Sequence, residues 1–423
     1  MARHLCRLLL VVIIGAAWSS PFAAAAQTRS AGEHWVTTWA TAVVPRASQP
    51  TTAAPVQGGP QTTRFNNQTL RQIVHVSLGG DRIRIVLSNA FGTAPLEIGA
   101  AHVGLRQKNS DVATGTGRAV TFGGHAAATI APGSVLVSDP IPFAVPPLAD
   151  LSIDIHLPGD SAASSSPLTV HANALQTSYA SAAGNHSGAS TFPVASTSTS
   201  WFFLARVEVL APAGAGAVAI LGDSLTDGSR STPDTNNRWP DHLARAFARR
   251  GIPMAVVNAG IGGNRVVADN NSPSALARLD RDVLVPSGVT HVVVMGGIND
   301  IGRGVEAAEL IAAHRQIIER ARAQGLIVIG ATLTPIEDTT FEGYYTAPHE
   351  AARQALNTWI RTANAYDAVI DFDAALRDAS RPSRLQAQYA SPDYIHPNDA
   401  GYRAMADAVD ITLFARPAVS NSR

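Results

Sequence analysis

The sequence predicts an α/β protein, a three-layer α/β domain with a parallel sheet over residues 218–415 preceded by a β-sandwich or jelly roll over residues 35–210. Three observations predict it. Apolar runs alternate with helical patterns in the second half; short alternating runs broken by Gly, Pro, Asn and Ser fill the first; and a stretch of small residues at 211–217 divides the two. The length of 423 residues, more than one hydrophobic core usually organises, also favours two domains.

The chain opens with a basic stretch from Met1 to Arg7, an apolar one from Leu8 to Trp18 and small residues from Ala23 to Ala26, which reads as a signal peptide over residues 1–26. The apolar stretch is shorter than the ~20 residues of a bilayer span, so removal after export is expected rather than a retained membrane anchor. The expected location is secreted or periplasmic. Cys6, the single cysteine, lies inside this segment without a lipobox, so the mature chain would have neither thiol nor disulfide.

Between 35 and 210, Leu151-Ser-Ile-Asp-Ile-His-Leu157 alternates most cleanly. Leu151, Ile153, Ile155 and Leu157 are expected to face a core, with Ser152, Asp154 and His156 toward solvent or a second surface. Ile83, Ile85 and Leu87 repeat the pattern, and further strands are expected at 70–78, 98–106, 134–143, 168–179 and 201–210. Residues 211–217, Ala-Pro-Ala-Gly-Ala-Gly-Ala, read as a hinge or linker because they carry no side chains for a core. Beyond it, 218–221, 255–258, 291–295, 326–330 and 368–371 are apolar runs suited to a parallel sheet covered on both faces. Trp239, Leu243 and Phe247 share one helical face ending at Gly251. Leu310, Ile311, Ile317, Ile318 and Ala321 do the same before Gly325.

Hydrophobic residues at 46% and charged residues at 15% describe a globular, loop-rich chain. Lys+Arg and Asp+Glu balance at 32 each without like-charge runs, which argues against nucleic acid or an anionic membrane as the main partner.

Four segments carry chemistry. Gly222-Asp223-Ser224-Leu225 follows the first strand of the second half, where ligands bind in open α/β sheets; taken alone, Ser224 reads as a helix cap. Asn258-Ala-Gly-Ile-Gly-Gly-Asn264 ends the next strand, and its glycines let backbone N–H groups approach an oxyanion. Gly296-Gly-Ile-Asn-Asp300 follows the third, with Asn299 offering an amide donor or, taken singly, Asn299 or Asp300 capping a helix. Asp393-Tyr-Ile-His-Pro397 sets Asp393 and His396 three apart, so that Asp can hold the imidazole while its other nitrogen faces a serine. The remaining histidines, such as His291 and His314, lack such company and read as core or surface residues.

Together these segments resemble the four blocks of the SGNH (GDSL) hydrolase family, in order and at the expected strand ends, over about 200 residues from Val218 to Leu413. The resemblance implies a flavodoxin-like three-layer domain and a serine ester hydrolase. Ser224 looks like the nucleophile, Asp393 and His396 complete the triad, and Ser224, Gly263 and Asn299 furnish the oxyanion hole. Gly260 and Gly262 are neighbouring alternatives to Gly263. The whole chain is similar to exported acetylxylan-esterase-like members with a β domain in front, through its arrangement and stretches such as Ser88-Asn-Ala-Phe-Gly92 and Ala277-Arg-Leu-Asp-Arg-Asp282. No metal or nucleotide cofactor is expected, since the sequence has no His-Glu-x-x-His helix, cysteine cluster, Gly-x-Gly-x-x-Gly fingerprint or P-loop.

The expected substrate is a short-chain, acetyl-type ester, small or carried by a polysaccharide. A lipolytic esterase is the second reading, and an inactive glycan-binding protein the third. Trp35, Trp39 and Trp201 are either sugar-stacking or core residues, and Arg278, Asp280 and Arg281 either substrate contacts or a solvated helix face.

Overall fold

A computed structural model describes residues 32–46, 64–161 and 166–414. The expected signal peptide lies outside them, and none of the described helices is long and apolar enough to cross a membrane.

The N-terminal half is β-rich and antiparallel. One sheet orders the strands His34–Ala40, Leu204–Ala211, Gly80–Ser88 and Val135–Val137; a larger one runs Val194–Ser198, Ser178–Ala183, Asn66–His75, Asp150–Asp160, Ala100–Lys108 and Asp111–Val112. Ile83, Ile85 and Leu87 of the first and Leu151, Ile153, Ile155 and Leu157 of the second enter one apolar core, as the alternation requires. The opposite face of Asp150–Asp160 meets a second surface rather than water. Asp154 is buried there and receives Arg71 Nε at 2.7 Å and Nη2 at 2.8 Å, while the Gly188 N–H donates to the same carboxylate at 2.8 Å. Such a charge tolerates burial because every oxygen is hydrogen-bonded. The tryptophans belong to the core: Trp39 and Trp201 pack edge to face at 4.9 Å, and Trp201 Nε1 donates to Ile73 O at 2.8 Å. Trp35 lies buried beneath the Arg84 guanidinium. Their faces are not open for sugar stacking.

The C-terminal half is a five-stranded parallel sheet in the order Met254–Gly260, Gly216–Gly222, Val289–Met295, Ile327–Ala331, Ala368–Ile370. In chain order this is 2-1-3-4-5, so the connections diverge between Gly216–Gly222 and Val289–Met295 and open a crevice at their carboxyl ends. Helices Trp239–Arg250, Ala307–Ala323, Ala347–Thr362 and Asp399–Asp407 each bury an apolar face.

Residues 211–217 differ from the expected hinge. Ala211 closes one strand and Gly216 opens the next, leaving a four-residue turn, 212–215, in which Ala215 N–H donates to Pro212 O at 3.1 Å. Small side chains serve tight packing here: a Cβ on Gly216 would lie 3.0 Å from Thr290 Oγ1. The halves are bonded together. Thr37 N–H donates to Ser287 O at 2.8 Å, Val256 N–H to Ser77 Oγ at 2.9 Å, and Arg281 Nη2 to Val43 O at 3.0 Å.

Candidate active site

Strand Gly216–Gly222 delivers the chain into a four-residue helix, Ser224–Asp227. Asp223 caps it by accepting the Leu225 N–H at 3.0 Å, and Gly228 ends it at φ +95°. Ser224 is thus the first helical residue rather than the cap. Its own N–H has no partner within the helix. The short helix sits against the end of the neighbouring strand, where a Cβ on Gly260 would lie 2.2 Å from the Asp227 nitrogen. Only glycine permits that approach.

The turn before helix Asp399–Asp407 brings the other two polar groups to Ser224. His396 Nε2 is 2.9 Å from Ser224 Oγ, and His396 Nδ1 is 3.0 Å from Asp393 Oδ2. Ser391 Oγ (2.7 Å) and the N–H groups of His396 (3.0 Å) and Ile395 (3.2 Å) donate to Asp393 Oδ1. Burial opposes ionisation of Asp393, but the His396 ring and N–H and the Ser391 hydroxyl outweigh it and hold the carboxyl far below the usual range. An ionised Asp393 accepts from Nδ1–H and leaves Nε2 to accept the serine proton. Beside Ser224, burial pushes the Asp223 carboxyl up to about 7, against the Leu225 N–H that favours its charged form.

The three glycines of the loop differ in what their N–H groups meet. Gly260 donates its N–H to Asn258 Oδ1 at 2.9 Å and Gly262 to Asp227 Oδ2 at 3.0 Å, whereas the N–H of Gly263 has no acceptor among the described residues. Gly263 takes φ +73°, a conformation that suits glycine. Asn299 and Asp300 lie inside helix Ile298–Ile301, whose N-cap is Gly297, so neither caps it. Asn299 Nδ2 donates to Asn264 O at 3.1 Å and its Oδ1 accepts the Tyr344 hydroxyl at 3.2 Å, which fixes the amide orientation and leaves the second Nδ2 hydrogen available. Asp300 accepts the N–H groups of Val266 (2.8 Å) and Val267 (3.2 Å) and so anchors the chain just beyond the loop.

A hydroxyl in contact with imidazole, an imidazole held by a carboxylate, and converging N–H donors make an acyl-transfer site. Residues 220–404, which span all of these groups, match the model of the GDSL-like lipase/acylhydrolase family. The C-terminal domain belongs to that family. It is a carboxylic ester hydrolase domain. Among solved structures, a member of the lipolytic protein G-D-S-L family from Veillonella parvula is 22% identical, with 48% of this chain and 100% of that chain covered and a TM-score of 0.38. The esterase EstA from Pseudoalteromonas sp. is 19% identical over 46% of this chain and 93% of its own, at 0.36. A carbohydrate acetylesterase family member from Sinorhizobium meliloti is 15% identical over 47% and 97%, at 0.38. No curated protein matches the chain.

Around the GDSL site stand residues that sequence patterns did not reveal. Arg230 Nε donates to Asp393 Oδ2 at 2.8 Å, and Arg303 Nη1 to the Tyr344 hydroxyl at 2.7 Å. Arg278 is neither a substrate contact nor part of a solvated face. It is 1% exposed and donates to Gly222 O (2.9 Å), Ala259 O (2.7 Å), Asn264 Oδ1 (2.9 Å) and Asp282 Oδ2 (3.1 Å), tying together the strand ends that carry Ser224 and the glycine loop. Arg281 pairs with Asp282 and reaches the β-rich half, while Asp280 pairs with Arg320 at the surface. His314 is a core residue bonded to Tyr366 and Gly296, with burial pushing its imidazole down to about 4.

Proposed function

We propose that the protein is an exported serine esterase that removes short acyl groups, acetyl foremost, from a hydroxyl-rich substrate such as a polysaccharide. Ser224 Oγ bonds to the ester carbonyl carbon while His396 Nε2 takes its proton, and Asp393 steadies the resulting imidazolium. The oxyanion is held by the N–H groups of Ser224 and Gly263 and by Asn299 Nδ2. The imidazolium returns the proton to the leaving alkoxide as the ester C–O bond breaks. Water then attacks the acyl-serine, giving a proton to His396, and the acid departs as Ser224 regains its own.

One observation carries the substrate reading. A groove of about 570 Å³ opens beside the glycine loop between the two halves, and Arg46, Asn173, Ser229, Asn270, Asn271 and Ser272 supply much of its lining. Amides, hydroxyls and a guanidinium suit a hydrated alcohol portion, whereas a long acyl chain would need an aliphatic channel. The exposed Phe341 ring, 5.9 Å from His396, supports the lipolytic reading as the competitor. Export rests on the pattern of residues 1–26.

A chain-length series separates the two. On 4-nitrophenyl acetate, butyrate, octanoate and palmitate, kcat/KM is expected to peak at acetate or butyrate, with acetate also released from acetylated xylan. A maximum at octanoate or palmitate would replace this reading with the lipolytic one.

Asn299→Ala tests the oxyanion assignment. The change is expected to lower kcat about 10²- to 10³-fold with little effect on KM, and to leave the circular dichroism spectrum intact. Wild-type kcat would remove Asn299 from the reaction.

A further inference from the structure

A three-stranded sheet of the β-rich half, in the order Trp201–Phe202, Leu168–His171, Val44–Arg46, places one histidine against the esterase site. His171 ends strand Leu168–His171, is 3% exposed, and has both ring nitrogens engaged: Nδ1 lies 2.7 Å from Ala42 O, and Nε2 lies 3.0 Å from Asp227 Oδ1. A peptide carbonyl has no proton to donate, and neither does a carboxylate. With both neighbours accepting, each ring nitrogen carries a hydrogen and the ring is an imidazolium. Burial works against that charge, but the Asp227 carboxylate and the Ala42 carbonyl outweigh it and raise the imidazole above its ordinary value.

Asp227 is the last residue of the helix that begins at Ser224, and its other oxygen accepts the Gly262 N–H at 3.0 Å. One carboxylate therefore joins the nucleophile helix to the loop carrying Gly263, and its orientation is set from the other half of the chain. Other charged or titratable groups face this pair. Arg238 donates from Nε to Asp227 O at 3.0 Å and from Nη2 to Ala174 O, and it opposes the charge on His171. His75 and Asp241 line a small cavity together with His171, Asp227 and Arg238, and the buried Tyr402 feels the Asp227 charge.

We propose that His171, carried by the β-rich half and acting as an imidazolium, is a positioning residue for ester hydrolysis: it fixes the Asp227 carboxylate and, through it, the Gly262–Gly263 loop at the oxyanion. The inference rests on the esterase reading above. It gives the β-rich half a part in catalysis, since without it Asp227 would lose the partner that holds one of its oxygens.

Two substitutions separate the two ring contacts. Asparagine places its amide where Nδ1 stands and keeps a donor toward Ala42, whereas glutamine reaches the Nε2 position and keeps a donor toward Asp227. With 4-nitrophenyl acetate, His171→Asn is expected to lower kcat by roughly 10- to 100-fold and to move KM by less than about threefold. His171→Gln is expected to recover most of that loss. The pH dependence gives a second reading. Because the imidazole is raised in the folded state, the doubly donating imidazolium is fully present below its ordinary value of about 6.5, and its charge and one of its two donors are lost as pH rises through the raised one. Wild-type kcat should therefore show an alkaline decline that the Gln variant, lacking a titrating group there, does not share. Wild-type kcat in the Asn variant, or equal losses in both variants, would overturn the proposal. Should the Asn variant fail to fold, the Gln variant decides: an absent alkaline decline supports positioning, a retained one contradicts it. Wild-type turnover that survives Ser224→Ala would instead mean that the esterase reading itself has failed.

Discussion

Ser224→Ala is expected to lower kcat on an activated acetate ester by about 10⁴-fold or more while the protein still folds. The size follows from the geometry. Among the described residues the one side-chain bond of Ser224 is its contact with His396 Nε2 at 2.9 Å, so alanine removes the proposed nucleophile and nothing that supports the fold. Asp223 still caps the helix through the Leu225 N–H, and Gly228 still ends it. A residual rate well above the uncatalysed one is expected from the donors at Gly263 and Asn299, which do not depend on the serine hydroxyl. Thermal unfolding measured beside the kinetics separates chemistry from stability: the midpoint should stay within a few degrees of wild type, since no core contact is lost.

Arg278→Leu is expected to have the largest effect on stability, about 3–5 kcal/mol in urea unfolding. Leucine fills part of the volume but satisfies none of the acceptors around it. Gly222 O, Ala259 O, Asn264 Oδ1 and the Asp282 carboxylate would all remain buried, and the last would keep a charge with one cation fewer beside it. Lysine is not a substitute, because one ammonium group cannot reach acceptors arranged around a planar fork. Activity should fall along with stability, since Gly222 precedes Asp223 and Ser224 while Ala259 and Asn264 bracket the glycine loop. An unchanged unfolding midpoint would show that the hydrogen bonds of this guanidinium, taken together, do not stabilise the fold.

The parallel sheet was legible because strands covered on both faces must be apolar throughout. Each apolar run read from the sequence falls on a strand of the second half, to within two residues at either end. The polar groups of the site were legible for a related reason: each sits in a short contiguous block at a strand end, and the His396 turn needs only three residues of spacing to bring Asp393 to Nδ1. What stayed hidden are contacts between residues far apart in the chain. Arg230 meets Asp393 and Tyr344 meets Asn299, each from a segment with no pattern of its own, and His171 meets Asp227 from an expected strand whose pattern gives no sign of that partner. Arg278 was visible within a charged stretch and still misleading. Charged residues every few positions suggest a solvated face, yet the converging carbonyls that take this guanidinium out of water come from two other strands. Residues 211–217 misled in the opposite direction. Small side chains read as a hinge when nothing is known to press against them, and here Thr290 and Met254 do.

Mass spectrometry of the protein treated with an activated phosphonate ester tests the central claim most directly, since such a reagent traps a serine nucleophile as a stable adduct resembling the tetrahedral intermediate. The account predicts one adduct per chain, carried by the peptide containing Ser224, with loss of turnover in proportion to labelling and no adduct in Ser224→Ala. Stoichiometric labelling of another residue, or full inactivation with Ser224 unmodified, would contradict it.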